Sequence, residues 1–470
     1  MQLSHSYATE LADTVSPVKP RPLSGMTMPM YNAELAGQFN LPDADALMAA
    51  IFDQQGDLAV RSVAQKYGGH QFGQWNPYLG DGRGLLLGEV SDSNGSRLDL
   101  HLKGAGQTPY SRHADGRAVL RSTLREYIGS EALHHLRIPT SRALCLMASD
   151  ESILRELPEP GAMMIRMAPS HLRFGHFEFY YHNKQKDTLD KLMNYTLAHH
   201  FPECLDEPAP HKALLTAITL RTARMVALWQ AYGFVHGVMN TDNMSIHGIT
   251  FDYGPYAFIE QFKQNAVFNH SDYEGRYAFD RQPGVALWNL NALAYAFSDY
   301  LSTDDIRACL MLFEPTFLSQ YRHQMLSRIG LTDSTENEGC LNTWLSLLNA
   351  EKRDYTQSFR QLAEADVNLP QSPLRDHFID RASFDSWWQD YRERRLSADT
   401  EGDDLLTLNP LVIPRTHYLQ EAIEAAEQGD FGPAHQLMEA IRQPFTLNEA
   451  TRNYQQPGTS ASAVSLSCSS

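Results

Sequence analysis

The chain has 470 residues, 43% hydrophobic and 20% charged, a globular composition with ample material for a core. Its 56 acidic side chains against 39 Lys plus Arg give a formal net charge of −17. That argues against nucleic acid or an acidic membrane as a general partner, while leaving room for a local basic pocket that holds a small polyanion such as ATP. Five scattered cysteines (Cys145, Cys204, Cys309, Cys340, Cys468) include no Cys-x-x-Cys pair, which suits a reducing compartment and indicates neither a zinc ribbon nor a thioredoxin-type site. The opening MQLSHSYATELADTV carries acidic residues and no apolar core, so neither a signal peptide nor a transit peptide is read there. No run of eighteen apolar residues occurs, and a cytoplasmic protein without a membrane span is expected.

Residues 1–60 read as an arm, with Pro-rich TVSPVKPRPLSG followed by the helical pattern DADALMAAIF. The Gly-rich tract 67–90, YGGHQFGQWNPYLGDGRGLLLGEV, ends in the strand-like LLLGEV. In the strand RLDLHLKGAG, Leu98, Leu100 and Leu102 alternate with Asp99, His101 and Lys103, and SDSNGS between the two strands suits a hairpin turn. The spacing predicts a helix over 117–136, with Leu120, Leu124, Ile128 and Ala132 as its buried stripe and Pro139 just past its end. GAMMIRMAPS reads as a strand then a turn, 211–233 as a long helix, and MSI-HG-ITF as a small hairpin turning at His247-Gly248. From about 286 the pattern is mostly helical, in ALWNLNALAYAFSDYL, TWLSLLNAEKRDYTQSFRQLAE, SFDSWWQDYRERRL and YLQEAIEAAEQGD. The polar, small-residue tail QQPGTSASAVSLSCSS reads as disordered.

The chemistry concentrates in Phe234–Tyr256, FVHGVMNTDNMSIHGITFDYGPY. Asn243 follows His236 by seven residues, and a D-Y-G begins at Asp252, nine residues further on. Protein kinases write H-R-D-L-x-x-x-N and then D-F-G, where the first Asp is the catalytic base and the Asn and last Asp hold magnesium. Here the base position is Val238. Asn243 and Asp252 offer oxygen ligands suited to magnesium. Asp242 can replace the missing base from the step before Asn243, or it is simply a turn former, with Thr241, in NTDN.

Upstream residues extend the pattern. Lys103 can reach a nucleotide phosphate from its strand, or it is a surface lysine; Glu126 in LREYIG can pair with it, or it belongs to an ordinary Arg/Glu face. In GDGRG, Gly80, Gly82 and Gly84 let backbone N–H groups approach phosphate, with Arg83 as a forked donor, or they form a tight turn. In HADGRAV, Asp115 and Gly116 open the helix of Glu126, where Asp115 by itself reads as an N-cap worth about 1 kcal/mol. Arg166 and Arg173 in IRMAPSHLRFGHFEF suit planar recognition of phosphate. The nearby His171, His176 and His182 lack ligand spacing and read as satisfied or surface histidines. Gly-loop, strand Lys, helix Glu, H-x6-N and D-Y-G thus occur in kinase order.

The expected fold is α+β, a protein-kinase-like two-lobed fold with an extra N-terminal arm and a helical C-terminal extension. Its expected parts are an arm over 1–60, an N-lobe-like nucleotide-binding part over 61–165 and a C-lobe-like part with metal and catalytic loops over 166–365. A helical extension over 366–454 and a flexible tail over 455–470 complete it.

The segments YGGHQFGQWNPYLGDGRG, LHLKGAGQTPYSRHADGRAVLRSTLREYI, APSHLRFGHFE, HGVMNTDNMSI, FDYGPY and NHSDYEGRYAFDRQP resemble the SelO family (selenoprotein O, YdiU in bacteria). The resemblance runs from about residue 20 to the end. It implies a kinase-like pseudokinase fold with protein adenylyltransferase activity, in which ATP binds in a flipped orientation and AMP is transferred to Ser, Thr or Tyr hydroxyls with release of pyrophosphate. By the same resemblance Lys103 contacts phosphate and is held by Glu126, while Gly80, Gly82, Arg83, Asp115 and Gly116 line the nucleotide site. Arg166 and Arg173 hold the inverted β- and γ-phosphates, Asn243 and Asp252 bind Mg²⁺ or Mn²⁺, Asp252 also faces the nucleotide, and Asp242 is the general base. The implied partners are ATP and protein substrates, without nucleic acid or membrane, for a monomer of bacterial, cytoplasmic type. The alternatives are an ordinary phosphotransferase with a displaced base, which Val238 disfavours, an ATP-binding pseudokinase scaffold, and UMP transfer from UTP. Eukaryotic members carry selenocysteine where Cys468 stands; some members place a partner cysteine before N-H-S-D, where this chain has Phe268.

Overall fold

Ten strands of the N-terminal half are β1 (Val15–Pro17), β2 (Thr27–Tyr31), β3 (Val63–Gln65), β4 (Gly69–Gln71), β5 (Gln74–Asn76), β6 (Gly84–Ser91), β7 (Arg97–Lys103), β8 (Ala118–Val119), β9 (Arg142–Leu154) and β10 (Pro158–Ala168). The computed structural model describes residues 3–397, 404–458 and Leu466. Eight of these strands form one antiparallel sheet in the order β1-β3-β6-β7-β10-β9-β2, with β8 added to β10, while β4 and β5 pair separately as a hairpin.

The leucine alternation of β7 sets the faces of this sheet. Leu100 and Leu102 join Leu85, Leu87, Met163 and Ile165 in an apolar cluster closed by Leu35 and by Leu47 and Ile51 of the predicted arm helix, observed as Ala44–Phe52. That helix starts where the Asp43 carboxylate accepts the Ala46 N–H at 2.9 Å, an N-cap. Leu87 shares the apolar side with Leu85 by ordinary alternation, and a bulge between Leu86 and Gly88 then sets Gly88 opposite Leu100. The opposite face carries Lys103, His101 and Asp99, all buried, against helix Leu120–His135 and the second half of the chain.

That second half is mostly helical. Helix Pro210–Tyr232 ends at Gly233, which takes the left-handed conformation that stops a helix without steric cost. Helices Gln282–Ala294, Phe313–Arg328, Thr335–Glu351, Tyr355–Glu364, Arg381–Ser397, Thr416–Glu427 and Gly432–Arg442 follow. The stretch TWLSLLNAEKRDYTQSFRQLAE is two helices, because Lys352 turns left-handed (φ 52°) and Asp354 caps the second by accepting from the Gln357 N–H at 2.7 Å. The chain is therefore α+β, with the kinase-like order of sheet lysine, helix glutamate and loop-borne metal-ligand candidates followed by helices.

The reading of MSI-HG-ITF as a hairpin is corrected. Its turn exists, with Gly248 N–H bonded to Ser245 C=O at 3.2 Å, but the two arms do not pair with each other. Ser245 bridges to Arg173 and Thr250 to Thr140, so distant segments take the backbone bonds that a local hairpin would have used. At the C-terminus Leu466 is buried beside Asn269, and its carbonyl accepts from the His270 N–H at 2.9 Å. Cys468 lies outside the described residues. No helix among the described residues is long and apolar enough to cross a membrane.

Candidate active site

A cavity of about 840 Å³ opens between the polar face of the sheet and the 234–256 segment. Gly80, Gly82, Arg83, Lys103, Asp115, Gly116, Arg166, Arg173, Asp242, Asn243 and Asp252 all line it, so nearly the whole set read from the sequence converges there. Glu126 stands behind the wall, fully buried, as the ion-pair partner of Lys103. It also takes Arg166 at 3.3 Å. Burial pulls the Lys103 ammonium down to about 8, with Arg83 and Arg166 adding to that and Glu126 opposing it. Burial works against the Glu126 charge too, but Lys103 and Arg166 outweigh it and hold the carboxyl below its ordinary value.

The arginines owe their positions to two different elements. Arg166 sits on β10 opposite His101 of β7 and donates to the His101 ring at 3.0 Å. Arg173 precedes helix Phe174–His182, with its backbone N–H on His176 Nδ1 at 3.0 Å and its guanidinium between the Tyr67 and Phe251 rings, 4.8 Å from each centroid. Burial, reinforced by Arg173, lowers His176 to about 3, so that ring is neutral and able to accept. Both guanidiniums converge on the Asp252 carboxylate. Asp252 itself is held at φ 59°, left-handed for a non-glycine residue, which is strain of the kind that collects at functional sites.

The 236–243 loop is fixed from several sides. His236 has its ring on Phe251 C=O at 3.1 Å, tying the loop to the D-Y-G segment, and burial lowers it to about 4. Asn240 accepts from the Phe72 N–H at 3.2 Å and from the Tyr277 hydroxyl at 2.5 Å. Asn243 spends its amide nitrogen on Val238 C=O at 3.0 Å, which leaves its oxygen as the ligand atom. Asp242 is buried; its Oδ2 accepts from Gln71 Nε2 at 3.3 Å, its Oδ1 has no hydrogen-bond partner among the described residues, and its carbonyl takes Arg173 at 2.7 Å. Burial lifts the Asp242 carboxyl to about 6, against the pull of Arg173. Gly69 makes this approach feasible, since a Cβ there would stand 2.7 Å from Asp242 Oδ1.

The N-cap reading of Asp115 is overturned. Helix Leu120–His135 is preceded by Val119, and Asp115 instead accepts from the Arg117 N–H at 2.8 Å and from the Arg155 fork at 2.7 and 3.0 Å. Gly116 takes φ +70° with Gly106 C=O where a Cβ would be, so the turn at the cavity mouth admits only glycine. Sequence reading missed Asp81, His101, Gln71 and Arg155. Buried Asp81 accepts the Gln65 N–H at 3.0 Å and faces His101 at 3.3 Å. The period-two rule that put Lys103 on the polar face already put His101 there; the others needed the tertiary structure.

Asn243 and Asp252 supply hard oxygen donors, an amide oxygen and a carboxylate, at the cavity wall, and such a donor set fits a divalent cation of the magnesium class. The arginines, Lys103 and the glycine turns fit a polyphosphate.

The family model described as "Protein adenylyltransferase SelO" matches residues 1–442. The chain belongs to the SelO family. Among the relatives it resembles, the protein nucleotidyltransferase YdiU of Pseudoalteromonas atlantica is 48% identical over 100% of both chains. YdiU of Yersinia pseudotuberculosis is 46% identical over 95% of this chain and 94% of its own. YdiU of Erwinia tasmaniensis is 44% identical over 100% of both. The SelO member described here is thus one of a family of protein nucleotidyltransferases. Among solved structures, ROP2 from Toxoplasma gondii, a virulence factor with a protein-kinase fold and no enzymatic activity, aligns at TM-score 0.26 and 13% identity over 58% of this chain and 80% of that one, a likeness too loose to bear on function.

Proposed function

We propose that this SelO member transfers AMP from ATP to Ser, Thr or Tyr hydroxyls of proteins and releases pyrophosphate. The observation that carries this reading is the convergence of Asp242, Asn243 and Asp252 with Lys103, Arg166 and Arg173 on one cavity, while Val238 stands at the kinase base position. ATP is bound in the flipped orientation, with its β- and γ-phosphates on the Arg166 and Arg173 forks, which also converge on Asp252. Lys103, steadied by Glu126, contacts phosphate; Gly80, Gly82, Arg83, Asp115 and Gly116 line the nucleotide. Asn243 and Asp252 hold Mg²⁺ or Mn²⁺, which neutralises charge on the phosphate oxygens when bound.

In the chemical step the substrate hydroxyl oxygen forms a bond to the α-phosphorus, and the bond from that phosphorus to the bridging oxygen breaks, with pyrophosphate leaving. The hydroxyl proton passes to Asp242, whose unpartnered Oδ1 is the accepting atom. A base lifted by burial toward neutrality is a better proton acceptor than an exposed carboxylate. Positioning and charge neutralisation carry most of the rate, as in other phosphoryl chemistry.

The test incubates the purified protein and a cell extract with Mg²⁺ and either α-labelled or γ-labelled ATP, beside Asp252→Ala. Label on protein from α-labelled ATP alone, lost in the variant, is the expected result. Label from γ-labelled ATP alone would make the enzyme a kinase; label from neither, with ATP still bound, would make it a scaffold.

A further inference from the structure

A second cluster of metal-ligating side chains stands behind the catalytic loop, away from the nucleotide cavity. Glu178 and His182 lie four residues apart on helix Phe174–His182 and therefore on one face of it. His70, on β4, meets them from the other side, and one ligand atom from each of the three residues lies within 4.8 Å of the others. The His70 ring is bonded to Glu178 Oε2 at 2.5 Å. Glu178 Oε1 has no hydrogen-bond partner among the described residues, and the Glu178 side chain is 0% exposed. A fully buried carboxylate with one oxygen unmatched is costly to keep, and a cation is the ligand that removes the cost.

We propose that His70, Glu178 and His182 form a divalent-metal site of the zinc class, distinct from Asn243 and Asp252. Two imidazoles and a carboxylate are a donor set that zinc takes in tetrahedral geometry, with its fourth position left to water, whereas nitrogen donors select against magnesium. Trp75 packs on His182 at 4.4 Å and on His70 at 5.2 Å, and Trp288 closes edge-on against His70 at 5.3 Å. These rings flank the ligands on one side, with Trp288 itself 38% exposed, so an ion can reach the cluster from solvent. His182 is exposed and ends its helix, so it is the ligand free to close on an incoming ion.

Such an ion would join β4 to the helix that Arg173 precedes. The same strand bonds the catalytic loop, through His70 N–H to Thr241 Oγ1 at 2.7 Å and through Gln71 to Asp242. Zinc here therefore fixes the wall that carries the candidate base and takes no part in the transfer itself.

The experiment uses full-length Asp252→Asn protein stripped with chelator, which disables the oxygen-donor site and leaves this one intact. Competition against a chromophoric chelator is expected to give one Zn²⁺ per chain, and Co²⁺ in its place a visible spectrum of an imidazole-ligated ion. Adding His182→Ala is expected to weaken Zn²⁺ at least ~10-fold, since losing even an outer-shell partner of a metal typically costs about that much. A thermal melt without metal checks that the exposed substitution leaves the fold unchanged. No Zn²⁺ bound by the Asp252→Asn protein, or equal binding with and without His182, overturns the proposal. AMP transfer is assayed with Mg²⁺ in a protein that keeps Asp252, so failure of one reading does not entail failure of the other.

Discussion

From one seven-residue strand, Leu98, Leu100 and Leu102 face one way and Asp99, His101 and Lys103 the other, and the two sides are held by different physics. The leucine side is an apolar cluster in which area removed from water does the work and neighbours of similar volume could substitute. The other side is charged and buried at once. Lys103 is held by Glu126, Arg166 by Glu126 and Asp252, and Glu89, across from Asp99, by the N-terminal arm. There each group needs its specific partner, because a lone buried charge is expensive. Stability and activity should therefore separate across the two faces of one strand.

The largest effect is expected in the cavity that the charged side faces, where Asp242 lines the opposite wall. Asp242→Asn should lower kcat by ~10²–10⁴-fold, the usual contribution of a positioned general base. Its melting temperature should hold, since the lost carboxylate oxygen Oδ1 had no partner. Initial rates of AMP transfer and a thermal melt on one preparation check both, and a collapsed melt would mean that Asp242 is structural.

On the leucine side, Leu100→Ala should cost ~2–5 kcal/mol in denaturant unfolding, as truncation of a fully buried leucine does. At a temperature where it remains folded, its kcat should match the parent. A kcat loss as large as that of Asp242→Asn would erase the distinction between the two faces.

The smallest effect comes from the distal end of the polar face. Glu89 accepts from the Ser4 hydroxyl at 2.7 Å and from the backbone N–H groups of Ser6 and Tyr7 at 3.0 and 3.1 Å. Burial opposes its charge, but these bonds and Arg97 outweigh burial and lower its pKa. A carboxyl lowered on folding contributes stability that is complete above its unfolded value of 4.5 and is lost as pH falls through the folded one. Glu89→Gln should therefore cost ~1–3 kcal/mol at neutral pH and less as the solution is acidified toward that range. Unfolding free energies of parent and variant at pH 7 and pH 4 test the convergence; parallel curves would sink it.

The legibility of the site follows from how local each signal is. The helix of Glu126 and the strand of Lys103 were readable because their periods are 3.6 and 2. His236, Asn243 and Asp252 were readable because one short segment carries them all. Asp115 was open between two roles, since its Arg155 partner lies 40 residues away. The arms of MSI-HG-ITF were misread for a related reason, their backbone partners being Arg173 and Thr140. His182 has only His171 and His176 near it in sequence, whereas the cluster it joins is completed by His70 from another element.

The α+β order, the two faces of β7 and the family can be read without coordinates, because alternation, helical spacing and the long motifs are properties of neighbouring residues. The packed chain alone shows that Arg166 and Arg173 meet on Asp252, that Asp242 is buried beside Gln71 with one oxygen unpartnered among the described residues, and that His70 reaches Glu178. Those relations join residues far apart in the chain, and their energies come from burial and charge pairing, which exist only once the sheet and the helices have closed on each other.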